Sequence, residues 1–278
     1  MKKDVYQEVT DRIVAQLEQG VIPWRKPWIV SGKECAISHS TGKPYSMLNQ
    51  LILGKPGEYA TFAQIKQEGG RIKRGAKAQF IVFWKWIEQE DKDNPGEVKK
   101  IPFLRYFNVF HLDDCEALKP KHETSAAQPL EPDVAASAII ADYLTRSGVK
   151  LEHLPGDRAF YRPSTDTVVL PEIEQFSELA EYYSTAFHEL THSTGHVSRL
   201  NRITATAHFG NEEYSKEELV AEIGAAALVN HVGLETSGSF RNSAAYIQSW
   251  LKTLQNDKRL IVSAAGQAEK ACNLILSQ

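Results

Sequence analysis

Apolar residues recur at three- and four-residue intervals near the start of the chain, at Val5, Val9, Ile13 and Leu17, and the run closes at Gly20. That spacing predicts a helix over residues 4–19. A short helix is expected over 61–68, stopped by Gly69 and Gly70. The period changes at Gln79: the run to Ile87 is aromatic and β-branched, which predicts a strand. Residues 91–96 (DKDNPG) are turn chemistry, and 100–112 predicts a second strand, so 79–112 should form a β-hairpin with a long loop.

The segment 119–133 (KPKHETSAAQPLEPD) holds Pro120, Pro129 and Pro132 and almost no large apolar residue, and reads as an interdomain linker. Beyond it, helices are predicted over 134–147, 172–194, 215–231, 242–256 and 263–277, with a small hairpin over 158–170. The 172–194 helix carries an apolar stripe at Phe176, Leu179, Tyr183, Phe187 and Leu190. The expected fold class is α+β in two domains: an α+β domain over 1–122, a linker over 123–133, and a mainly helical domain over 134–278.

Composition narrows the class. The chain has 278 residues, 42% hydrophobic and 24% charged, as in a soluble globular protein. No apolar run reaches the roughly 18 residues a membrane span needs, so no membrane partner is expected. The first twenty residues have no continuous apolar stretch of a secretory signal. Cys35, Cys115 and Cys272 are too scattered for a disulfide framework or a zinc knuckle, which points to a reducing, cytoplasmic setting. The net charge of −3 hides an asymmetry: 20 Lys and Arg face 15 Asp and Glu in residues 1–122, and 12 face 20 in residues 123–278. A basic half joined to an acidic half suggests modules with different partners.

The strongest chemical signal is His188-Glu189-Leu190-Thr191-His192 within the predicted helix. Residues four apart lie on one helical face, so His188 and His192 can direct two imidazoles at one Zn²⁺. Glu189, rotated by about 100°, can reach a water at the metal without being a ligand. A catalytic zinc needs a third protein ligand. A third histidine in the HExxHxxGxxH pattern would fall at residue 198, which is Ser198, and with only Met1 and Met47 in the chain no Met-turn can follow. The alternative is a glutamate from the next helix, where Glu217, Glu218 and Glu222 are available. Ser215 and Glu218 match a capping box, whereas Glu222 stands beside the apolar positions Leu219, Ile223 and Ala226. A carboxylate there is costly unless paired or bound to metal. Glu222 is therefore the expected third ligand, with Glu218 behind it and Glu189 as catalytic base. Tyr214, His208, His231 and Tyr246 are candidate oxyanion donors, and His196 is expected to be structural.

These residues also carry a resemblance. FHELTHSTGH followed by YSKEELVAEIGAAAL resembles the zincin-like domain of the ArdC family of plasmid antirestriction proteins. VTDRIVAQLEQGVIPWRKPW, TGKPYSMLNQLIL, YATFAQIKQEGGRIKRGAKA and FNVFHLDD resemble the DNA-binding domain of the same family, which also occurs on TraC-type primases. The resemblance extends through SWLKTLQNDKRLIVSAAGQAEKA and so covers nearly the whole chain. It implies a single-stranded-DNA-binding domain joined to a metallopeptidase-like domain, with His188, His192 and Glu222 as metal ligands and Glu189 catalytic. It also implies protection of mobile DNA from host restriction. The cofactor would be Zn²⁺ or another divalent ion such as Mn²⁺.

Aromatic platforms interleaved with cations suit single-stranded DNA. The first half offers Trp24, Arg25, Lys26 and Trp28, then Arg71, Lys73, Arg74 and Lys77, then Trp84, Lys85 and Trp86. Two other readings fit the same residues: a non-catalytic DNA-binding protein with a structural metal, and a peptidase whose first domain grips a protein partner. A protein or peptide substrate is a further expected partner.

Overall fold

The computed structural model describes residues 4–25, 35–90, 98–122, 131–203, 212–234 and 243–278. In chain order the elements of the first half are α1 (Val5–Glu18), β1 (Ala36–Ser38), α2 (Met47–Leu53), β2 (Gly57–Thr61), α3 (Phe62–Gln67), β3 (Arg71–Ile72), β4 (Gln79–Glu90), β5 (Val98–His111) and β6 (Cys115–Glu116). The second half contributes α4 (Pro132–Ser147), β7 (Lys150–His153), β8 (Phe160–Arg162), β9 (Thr167–Leu170), α5 (Leu179–Ser193), α6 (Glu212–Val232), α7 (Ser243–Asn256) and α8 (Leu260–Leu276). The architecture is α+β.

Local chemistry explains most boundaries. Asp4 caps α1 by accepting from the Tyr6 amide, and Val9, Ile13 and Leu17 are buried as the periodicity requires. Thr61 and Gln64 form a reciprocal capping box at the start of α3. Two helices differ from expectation. The segment predicted as one helix over 172–194 begins with a separate 3₁₀ turn at Ile173–Gln175, and α5 starts only at Leu179. The helix predicted from Ser215 begins at Glu212, so Ser215 lies inside α6 and does not cap it.

The first half is built on a four-stranded sheet ordered β1-β2-β5-β4, with β1 parallel to β2 and the remaining pairs antiparallel. Its outer strands are met by neighbouring amides of α2. Asn49 donates to the Val82 carbonyl and accepts from the Val82 amide, at 2.8 and 2.7 Å. Gln50 does the same for Ala36, at 2.9 and 2.8 Å. Each side chain mimics the strand that the edge lacks. The second half has a three-stranded sheet ordered β7-β9-β8, against which α5 packs.

The buried core runs across the two halves on either side of the proline-rich segment. One buried cluster contains Val9, Ile13 and Trp24 of the first half together with Phe187, Leu228, Trp250 and Ile261 of the second. Trp24 and Trp250 meet edge to face with centroids 5.0 Å apart. The Thr10 hydroxyl donates to the Lys258 carbonyl at 2.8 Å, and the Met47 amide donates to Glu269 at 3.0 Å.

Candidate metal centre

The helix α5 buries Phe187 and Leu190 and leaves His188 and His192 on the flank facing α6. The two helices approach closely because α6 carries Gly224 against Thr191. A Cβ on Gly224 would stand 2.7 Å from the Thr191 Cγ2, so only glycine permits this spacing. The Thr191 hydroxyl returns to the Phe187 carbonyl at 2.7 Å and keeps its methyl toward the glycine.

At this crossing the two imidazole Nε2 atoms are 3.1 Å apart. Glu218 brings one carboxylate oxygen to 3.4 Å from His192 Nε2 and the other to 3.6 Å from His188 Nε2. Among the described residues this trio is the one group of three metal-ligating side chains whose donor atoms converge. A tetrahedral cation with N and O bonds of about 2.0–2.2 Å would separate its ligand atoms by about 3.3–3.6 Å. The observed 3.1–3.6 Å is close to that spacing, and two imidazoles with one carboxylate are the donor chemistry of a divalent-ion site.

The carboxylate that meets the histidines is Glu218, where Glu222 was expected. The capping argument assigned Glu218 elsewhere, but α6 starts at Glu212 and leaves Glu218 free to turn toward α5. Glu222 lies one turn further along; its charge is felt at His188, but it is outside the converging trio.

Glu217, which sequence reasoning passed over, supports the trio. One of its oxygens lies 3.3 Å from His192 Nδ1. Arg202, whose side chain is 7% exposed, donates to both oxygens of Glu217 at 2.8 and 3.1 Å. The same guanidinium donates to the Thr194 hydroxyl and the Thr191 carbonyl, at 2.8 and 2.9 Å, and so also ties down the end of α5. A carboxylate on the second ring nitrogen fixes the tautomer and orientation of a ligating histidine. The cue was an arginine ten residues past a motif histidine, on a segment without periodicity.

Electrostatics at the site favour a cation. Burial works against a charged His192, but Glu217 and Glu218 outweigh it and push its pKa up to about 10. Burial likewise opposes charge on His188, and Glu218 reverses it, so that pKa is also raised. For Glu218, burial is outweighed by the two imidazoles, which hold the carboxyl well below its ordinary range. Glu189 is buried beside them and adds negative charge at both histidines.

Known proteins are similar to this chain along nearly all of its length. Residues 3–110 match the family described as the N-terminal domain of anti-restriction factor ArdC, and residues 138–267 match the family described as zincin-like metallopeptidase. The metal-free crystal structure of the antirestriction protein ArdC from plasmid R388 is 38% identical, with a TM-score of 0.75 over 98% of this chain and 97% of that one. The chain belongs to the ArdC family of antirestriction proteins. The Mn(II)-bound structure of the R388 ArdC gives a TM-score of 0.77 at 34% identity, covering 99% of this chain and 98% of that one. The DNA primase TraC of Escherichia coli is 36% identical over the whole of this chain, which spans 27% of the primase.

Within this ArdC-family fold the expected DNA contacts separate. Trp24 is 1% exposed and packed on Trp250, so it is a core residue and no stacking platform. Its place beside Arg25 in sequence gave no sign of the α7 face that covers it. Arg71, Lys73, Arg74 and Lys77 are exposed on and after β3, and the Lys73 ammonium also donates to the Asp113 carbonyl at 2.7 Å. Lys26, Trp28 and His208 lie outside the described residues, as do the side chains of Arg25, Trp84, Lys85, Trp86 and Tyr246. Of the other oxyanion candidates, His231 is thirteen residues beyond Glu218 on α6, about 20 Å along the axis, too far to serve. Tyr214 is one turn before Glu218 on the same helix. His196 bonds Ser198 at 2.7 Å, a local turn contact in keeping with a structural role.

Proposed function

We propose that this chain protects mobile DNA from restriction, binding single-stranded DNA through its N-terminal half and cleaving a peptide bond at a divalent metal held by His188, His192 and Glu218. The observation that carries the reading is the convergence of those three side chains, their donor atoms within 4.8 Å of one another, next to a buried Glu189. The Mn(II)-bound R388 relative supports a divalent cation, and two imidazoles with one carboxylate equally suit zinc. A bound cation supplies Lewis acidity for activating water and polarising a carbonyl. Glu189 accepts the proton of the attacking water and passes it to the leaving amine. Glu217 and Arg202 hold His192 in the orientation that its role requires. The basic character of the first half and its exposed cations at Arg71, Arg74 and Lys77 support the nucleic-acid reading. Among the described residues no helix is long and apolar enough to cross a membrane.

A metal that merely organises the fold is the weaker alternative. The site is already braced by Arg202 and Glu217, and the R388 relative has been solved without metal. The test compares wild type with Glu189→Ala for bound metal and for cleavage of a diverse peptide library. Glu189→Ala should keep its metal and lose cleavage by roughly 10²–10⁴-fold. Cleavage that survives Glu189→Ala or chelation overturns the catalytic assignment. Absence of single-stranded DNA binding at low salt overturns the other half.

A further inference from the structure

The hairpin formed by β4 and β5 outgrows its sheet. The last residue of β2, Thr61, is opposite Val109, so beyond that row, among the described residues, β5 has only β4 beside it. Directly opposed residues and their second neighbours share a face. The pairs Gln79 with Val109, Ile81 with Phe107 and Phe83 with Arg105 therefore line one face. At one end this face is core, where Val109 and Ile81 pack with Tyr59, Ala36 and Leu53. At the other it is bare: Phe83 is 51% and Phe107 45% exposed, and Arg105 between them is exposed as well.

Two phenylalanine rings held open on either side of a guanidinium, on a rigid ladder, are costly to leave in water and gain nothing for the core. Arg105 is directly across from Phe83 and two residues along the strand from Phe107, so ring, cation and ring alternate at spacings of about 5–8 Å. Lys77 precedes the first residue of β4 by two positions, so the exposed cations Arg71, Arg74 and Lys77 belong to the other, Gln79 end of the hairpin, and the cation at the bare end is Arg105. Alternating rings and cations are complementary to a polymer that carries flat bases on a phosphate chain.

We propose that the face of Phe83, Arg105 and Phe107 is where single-stranded DNA lies, with bases stacked on the two rings and a phosphate at Arg105. The proposal rests on the reading of the N-terminal half as DNA-binding and identifies its stacking surface with residues other than the tryptophans. Recognition there is of stacked bases and backbone, without base-specific readout.

The test is fluorescence anisotropy of labelled oligothymidylate with the full chain. Phe83→Ala and Phe107→Ala should each weaken binding roughly 5- to 150-fold, the range for loss of one stacked base, while Phe83→Trp restores it. Arg105→Gln should lower the slope of log affinity against log salt by about 0.7, which neither phenylalanine variant moves. Tyr106, opposite Val82 on the other face and 48% exposed, is the control: Tyr106→Ala should leave affinity unchanged. Thermal melts at each variant check that the fold persists. If wild type binds while Phe83→Ala with Phe107→Ala binds equally well, the surface is wrong and the DNA reading stands. If wild type does not bind even at low salt, both fail.

Discussion

Arg202 grips both carboxylate oxygens of Glu217, and Glu217 passes that restraint to His192 Nδ1. Lysine keeps the charge but has no planar fork. Arg202→Lys should therefore fold, yet bind Mn²⁺ or Zn²⁺ on the order of 10–100-fold more weakly. Isothermal titration calorimetry reads this without reference to turnover, and an unchanged affinity would reduce Arg202 to a helix cap.

Glu218 and Glu222 compete for the role of third ligand, one helical turn apart. Glu218→Ala should abolish tight metal binding. Glu222→Gln, which removes a charge felt at His188, should lose no more than the roughly 10–100-fold typical of an outer partner. Metal content after dialysis separates the two, and the reverse order would restore the assignment that sequence alone favoured.

Trp24 tests whether the seam between the halves is structural. Trp24→Ala should destabilise the protein by about 3–5 kcal/mol, as for other buried large side chains, measured by urea denaturation. Trp24→Phe should lose less. Either variant, assayed where it is folded, should bind single-stranded DNA as wild type does; a specific loss of affinity would return Trp24 to the interface.

Asp166 lends the second half a pH-dependent contribution. It accepts from Arg199 at 2.5 and 3.0 Å and from the Tyr161 hydroxyl at 2.6 Å. Burial works to raise its pKa, but those bonds outweigh it and hold the carboxyl below its ordinary 3.8. A carboxyl depressed on folding stabilises above its unfolded pKa and loses that effect as pH falls through the folded one. The stability gap between wild type and Asp166→Asn should be constant from neutrality down to about pH 4 and close below it. Asparagine tolerates the left-handed backbone at this position, where φ is 50°. Melting temperatures across that range decide the matter; a gap that widens in acid would contradict the sign.

Much of the fold was legible because periodicity reports burial. Val9, Ile13 and Leu17 announced α1, and the aromatic run from Gln79 announced β4. The histidine pair was legible because helical spacing alone brings His188 and His192 together. The convergence of Glu218 on them was not, since it depends on where α6 begins and how it crosses α5, and a glycine 33 residues past Thr191 sets that crossing. Arg202 was invisible for the same reason: its partners lie on two different elements. Trp24 misled because a tryptophan between proline and arginine looks the same whether a base or Trp250 covers it.

The core that runs from α1 through α7 and α8 also constrains how such a chain can be rearranged. A recombination joint in the proline-rich segment would separate Trp24 from Trp250 and Thr10 from Lys258. Each fragment would then carry an apolar wall facing water. Halves that wet each other in this way are expected to move between replicons as one cassette, and a chimera built from unrelated halves would need its seam redesigned before it could fold.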